Sequence, residues 1–116
     1  MFVLLEHQTD SGVHWDLMIE TPGRDRLATW RLARNPIALS DEAIAAEPID
    51  DHRRIYLDYE GELSDGRGRV TRVDGGESRI VEQSAHRLVM KLDGRDLRGR
   101  FEVGDHGTGR STFRRV

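Results

Sequence analysis

A chain of 116 residues with a formal net charge of −3 can hold one modest hydrophobic core, and it is too mildly charged to bind nucleic acid by bulk charge alone. It has no cysteine, which excludes disulfide frameworks and thiolate metal sites; its only lysine is Lys91, so phosphate binding would need a local arginine-rich face. No apolar run reaches the length of a membrane span, and Met1–Glu6 lacks the basic start of a signal sequence, so the expected location is the cytoplasm, with no membrane partner.

Phe2–Glu6 is a short apolar run suited to a buried strand. Gln8 to Gly12 carries turn chemistry, and Val13–Glu20 then alternates, with Trp15, Leu17 and Ile19 on one face and His14, Asp16, Met18 and Glu20 on the other. Together these predict a β-hairpin that brings His7 beside His14. Pro22-Gly23 ends the second strand, and Leu27–Leu32, with Trp30 inside it, reads as a third. After Asn35-Pro36, Ser40 is placed to cap a short helix over Asp41–Ala46, closed by Pro48. Further strands are expected at Arg54–Tyr59, Gly68–Val73, Ser78–Glu82, Arg87–Leu92, Arg98–Val103 and Thr112–Val116. The breaks between them fall at Asp65-Gly66, Asp74-Gly75-Gly76, Asp93-Gly94 and Gly104 to Gly109. Many short strands and one weak helix predict a mainly β, single-domain barrel of about eight strands over residues 1–116.

The chemistry concentrates near the N-terminus. His14 and Asp16 stand two apart on a strand and therefore share a face, and His7 arrives from the neighbouring strand. Two imidazoles and one carboxylate make a three-ligand set for Mn, Fe or Zn. Taken alone, a His-x-Asp pair is more often a hydrogen-bonded surface pair, and Asp51-His52 is most simply a turn with a half-exposed imidazole. Trp15 and Trp30 sit in apolar strand patterns and read as core packing, while His86 and His106 have no partner at ligand spacing and read as surface. Arg110, Arg114 and Arg115 fit an edge strand protected by charge.

The run Phe2-Val3-Leu4-Leu5-Glu6-His7, followed by His14-Trp15-Asp16-Leu17-Met18-Ile19-Glu20, Trp30, Asp51-His52, Tyr56 and Asp58-Tyr59-Glu60-Gly61, resembles the 3′-phosphoesterase domain of bacterial DNA ligase D. The glycine-rich stretch from Gly66 to Gly76 and the late segment Leu97–Val103 extend the resemblance over nearly the whole chain. It implies a β-barrel of eight-stranded type, without polymerase or ligase modules, and a Mn-dependent site that trims 3′-phosphates and 3′-ribonucleotides from DNA or RNA ends. Such a domain would serve non-homologous end joining beside a separately encoded ligase or polymerase.

By the same resemblance His7, His14 and Asp16 fall on the metal ligands, for Mn²⁺ with Zn²⁺ or another divalent transition metal as alternatives. His52 falls on a histidine near the scissile phosphate and Tyr56 on a tyrosine of the phosphate pocket. The family has arginines where this chain has Met18 and Ile44, and its turn between the two histidine ligands is one residue shorter. If His52 to Tyr56 were extended, His52, Arg54 and Tyr56 would share a face, and Arg54 would supply a substitute guanidinium; the alternative leaves Arg54 in solvent and the pocket more apolar around Met18. Two other readings stay open. One is a metal-containing module that binds nucleic-acid ends or nucleotides without cleaving them. The other is a non-haem iron oxygenase, for which the motif stands too near the N-terminus to leave room for the usual jelly roll.

Overall fold

The computed structural model of the protein describes residues 1–38, 42–105 and 109–116. The described residues run through nine strands: β1 (Phe2–Thr9), β2 (Gly12–Ile19), β3 (Leu27–Leu32), β4 (Ile44–His52), β5 (Gly61–Glu62), β6 (Arg69–Gln83), β7 (Arg87–Asp93), β8 (Arg98–Asp105) and β9 (Ser111–Arg115). They make one antiparallel sheet in the order β1-β2-β3-β4-β9-β8-β7-β6-β5, and β1 pairs a second time, with β6. The described residues contain no α-helix, only 3₁₀ turns at Arg54–Leu57 and Ser64–Gly66. None of their helices is long and apolar enough to cross a membrane.

Alternation along β1 explains how the sheet is packed. Phe2 and Leu4 point into the larger core with Leu17, Ile19, Met90, Phe101 and Phe113. Val3 and Leu5, one residue out of phase, point the other way and build a second cluster with Met18, Leu27, Tyr56 and Val70. Phe2–Leu5 is therefore buried on both faces, which is why it reads as an unbroken apolar run rather than an alternating one. The segment from Arg54 to Leu63 roofs the second cluster. It is tied to β6 by Arg72, whose backbone N–H donates to Glu60 Oε2 (2.8 Å) and whose guanidinium donates to the Leu57 carbonyl (2.7 Å). Trp15 and Trp30 are half-buried against the larger core, and His86 is exposed.

Three expected elements are corrected. Residues 44–46, expected as helix, lie in β4: Ile44 and Ala46 turn inward in alternation, and the backbone pairs with Phe113 and Thr112 of β9 and with Leu32 of β3. Burial against two neighbouring strands overrides the helical preference of the alanines. Pro48 is tolerated because, among the described residues, the β4–β9 pairing covers only Ile44 and Ala45 and leaves Pro48 unpaired on that side. Ser40 and Asp41, the expected start of that helix, and His106 lie outside the described residues. The expected strand Arg54–Tyr59 is instead a 3₁₀ turn, closed by Tyr56 N–H to Arg53 O (3.2 Å) and Asp58 N–H to Ile55 O (3.1 Å), with Tyr56 as its buried residue. Finally, Asp74-Gly75-Gly76 is not a break but the middle of the 15-residue β6.

Those glycines let β6 pass between neighbours at close quarters. A Cβ on Gly76 would stand 2.3 Å from the Asp93 carbonyl oxygen, a distance only glycine allows. The first half of β6 pairs with β1 and the second half with β7, with a bulge opposite Leu4 and Leu5. Asp74 stands at the junction. Its Oδ1 accepts the N–H groups of Gly75 and Arg95 (both 2.8 Å) and its Oδ2 those of Asp96 (3.0 Å) and Leu97 (2.7 Å), so one buried carboxylate closes the turn between β7 and β8. Burial alone would raise its pKa, but the four backbone donors outweigh that and hold it below the ordinary aspartate value.

A depressed folded-state pKa contributes stability that is present above the unfolded aspartate value of about 3.9 and is lost as pH falls through the folded value. Asp74→Asn removes the charge and turns an amide donor toward backbone donors. It should cost about 2–3 kcal/mol at neutral pH, read as a lowered urea midpoint, and the gap from wild type should shrink as the pH falls below about 4. A variant with an unchanged midpoint would show that the turn does not depend on this carboxylate.

Candidate metal centre

The site is assembled by register. In the β1–β2 hairpin His7 stands directly opposite His14, Leu5 opposite Asp16 and Val3 opposite Met18. Side chains of one face therefore run from the apolar second cluster at Val3 and Met18 to a polar end at His7, His14 and Asp16. The site thus occupies the sheet face turned away from the larger core, at the edge of the roofed cluster.

Three donor atoms converge there. His7 Nδ1 lies 3.0 Å from His14 Nε2 and 3.6 Å from Asp16 Oδ2, and His14 Nε2 lies 3.4 Å from Asp16 Oδ1. Donors bonded at about 2.1 Å around one dication, at tetrahedral or octahedral angles, stand about 3.0–3.4 Å apart. The observed separations are close to that spacing, and the three residues are a candidate metal-holding group. The surroundings suit an ion in two further respects. His7 Nε2 is 2.7 Å from the Arg67 carbonyl, which can only accept, so Nε2 carries the proton and the neutral ring turns the Nδ1 lone pair to the centre. Asp16 is 3 % exposed, yet its Oδ1 has no hydrogen-bond partner among the described residues. A buried carboxylate oxygen left in that state is costly unless a cation completes it.

His14 is held below its ordinary pKa chiefly by burial, with Arg31 and His7 acting in the same direction and Asp16 opposing them. This favours the neutral imidazole that ligation requires. The Arg67 carbonyl is set in place by its successor: Gly68 has φ +96°, and a Cβ there would meet the Gln8 carbonyl oxygen at 1.9 Å.

His52 and Tyr56 line the same cavity of about 650 Å³ as the three donors. His52 ends β4, opposite Leu27 of β3. Its Nδ1 donates to the Asp50 carbonyl (2.8 Å), so in the neutral ring Nε2 is the acceptor. The ring stands edge-on to Tyr56, with centroids 5.6 Å apart, and Tyr56 is edge-on to Tyr59 at 6.0 Å. Met18 also reaches the cavity wall while packed in the second cluster.

Arg54 does not join them. The 3₁₀ turn breaks the strand parity on which its placement was argued, and its guanidinium pairs with Glu20. Two arginines of the cavity wall were not singled out from the sequence, Arg31 and Arg67. Arg31 was legible once β2 and β3 are aligned, since it stands opposite Asp16. Arg67 lies in a loop whose path no strand pattern fixes.

No curated protein matches this chain. The sequence model described as the DNA Ligase D 3'-phosphoesterase domain matches residues 5–104, and the chain belongs to that family.

Proposed function

We propose that the protein is a metal-dependent 3′-phosphoesterase that trims 3′-phosphates or 3′-ribonucleotides from nucleic-acid ends in the DNA ligase D repair context. The observation that carries this reading is the convergence of His7 Nδ1, His14 Nε2 and the buried Asp16 carboxylate in a cavity shared with His52. Family membership supports the substrate class. The second pairing of β1, with β6, supports reading the sheet as the small closed barrel expected from the strand pattern.

His7, His14 and Asp16 would hold the ion, Mn²⁺ in this reading. The chemistry supplied by a bound dication is polarisation of a phosphoryl oxygen and neutralisation of the charge that builds as phosphorus gains a ligand. His7 is kept in the ligating tautomer by the Arg67 carbonyl. His52, protonated on both nitrogens, would donate from Nε2 to the leaving oxygen while Nδ1–H stays on the Asp50 carbonyl. The Tyr56 ring, 9 % exposed, fixes the position of the imidazole from one side.

A second reading is a module that holds the metal and binds 3′-ends without cleavage. One observation favours it: Met18, which replaces a family arginine, is 1 % exposed in an apolar cluster and offers no charge to the phosphate.

Incubation with Mn²⁺ and a primer–template bearing a 3′-phosphate or one 3′-ribonucleotide should yield the trimmed 3′-hydroxyl product. Intact substrate that nevertheless binds would select the second reading. His14→Ala should abolish stoichiometric Mn²⁺ uptake by calorimetry. It should also remove the stabilisation by excess metal, about 2.7 kcal/mol at 100 times the dissociation constant. His52→Ala should leave uptake nearly intact while lowering turnover by about 10²-fold or more, the usual contribution of a proton-transfer group. If metal uptake fell equally, His52 would be a fourth ligand instead.

A further inference from the structure

The described wall of the cavity carries two guanidiniums, Arg31 and Arg67, beside the three imidazoles of His7, His14 and His52 and the carboxylates of Asp16, Asp50 and Asp51. Arg67 is committed: its Nε donates to the Ser64 carbonyl (3.0 Å) and its Nη2 to Ser64 Oγ (2.9 Å). Arg31 is not. It projects from β3 opposite Asp16, and its one ion pair among the described residues is Nε to Asp16 Oδ1 at 4.0 Å, too long for a hydrogen bond. Glu47, directly across on β4, forms no ion pair with it. The Arg31 side chain is 43 % exposed and lines the cavity. A guanidinium beside a metal-ligating carboxylate, with its fork unused, is built to take the planar oxygen edge of a phosphate.

The geometry points to Arg31 as the residue that binds the terminal phosphate at this centre, taking from β3 the role that Met18 cannot perform on β2. This rests on the phosphoesterase reading above. The two positions are diagonal neighbours, since Asp16 faces Arg31 and Met18 faces Thr29 in the β2–β3 ladder. Met18 fills the apolar cluster under Tyr56, and the Arg31 cation stands two pairs further along the same face, on the cavity wall. A 3′-phosphate would then be met by the metal-holding triad on one side and by the Arg31 fork on the other. A 3′-hydroxyl end would gain nothing from the fork.

The test compares binding, not turnover. Oligonucleotides of one sequence, ending in 3′-phosphate or 3′-hydroxyl, are titrated into the Mn²⁺-loaded protein under single-turnover-blocked conditions provided by His52→Ala, alongside inorganic phosphate. Arg31→Ala on that background should weaken binding of the 3′-phosphate oligonucleotide and of free phosphate by about 10- to 100-fold, while the 3′-hydroxyl oligonucleotide changes little. Arg31→Lys, which keeps the charge without the fork, should fall between. Mn²⁺ affinity should stay constant or tighten in Arg31→Ala, because a positive charge next to Asp16 has been removed. Loss for the oligonucleotide but not for free phosphate would place the contact elsewhere on the nucleic acid and overturn the assignment. Equal weakening of both oligonucleotides would overturn it in favour of general attraction, and weakened Mn²⁺ uptake would make Arg31 a support for Asp16 only. If the parent protein takes up no Mn²⁺ through His14, the phosphoesterase reading itself fails and the inference falls with it.

Discussion

Slipping the β1–β2 hairpin by one residue would send His7 to the face opposite His14, because side chains alternate and pairing fixes which residues share a side. The pairing of His7 with His14 is therefore the constraint on which the rest of the structure depends. Register is weakly held where both faces of a sheet are polar and strongly held where one is buried; here both faces are buried along Phe2–Leu5. A slip would exchange the residues of the larger core for those of the cluster under Tyr56 and misfit both. The apolar half of each strand thus locks the polar half. Thr9 and Gly12 close the loop around Asp10 and Ser11, so little freedom remains in the turn that carries the two histidines apart and back.

The hairpin is held in turn by its neighbours. β6 pairs with β1 through Phe2–Gln8 and then continues to β7, so one strand supports both the strand that carries His7 and the far side of the sheet. Its path depends on the absence of side chains at Gly75 and Gly76 and on the Asp74 carboxylate that gathers the β7–β8 turn. Arg72, opposite Leu5 and two pairs along from His7, anchors the roof over the second cluster. The roof places Tyr56 against His52. A single strand therefore couples the fold to the two ends of the cavity.

Much of this was legible in the sequence because period-2 alternation is a short-range signal. Val13–Glu20 announced its two faces, and the turn residues after His7 announced the hairpin. The signals that failed were of three kinds. Ile44-Ala45-Ala46 has helix-forming composition, and only its distant partners on β3 and β9 make it a strand. Ile55-Tyr56-Leu57 is an apolar triplet that strand and 3₁₀ geometry share, so the pattern left the side of Arg54 open between the pocket and solvent. Asp74-Gly75-Gly76 has turn chemistry, yet the aspartate caps another segment's turn and the glycines serve close approach rather than reversal. In each case the deciding contact lies far along the chain.

The departure at Met18 acquires a physical sense in this setting. Its position belongs to the face that β1, β2 and the roof close over, and there an arginine would need to leave its charge in an apolar cluster or displace Tyr56. Methionine, flexible and uncharged, fills the space instead. The cost is a cavity short of one cation beside Asp16. Arg31 stands on the next strand, opposite that same aspartate, at a point where the roof no longer covers the sheet. Cross-strand neighbours can exchange roles in this way because a ligand sees charge at a place in space, whichever strand delivers it. The same logic makes the pocket asymmetric: apolar and roofed toward Tyr56, and charged toward Arg31 and Asp16. In the proposed reading a terminal phosphate would enter such a pocket with its charge toward the open side.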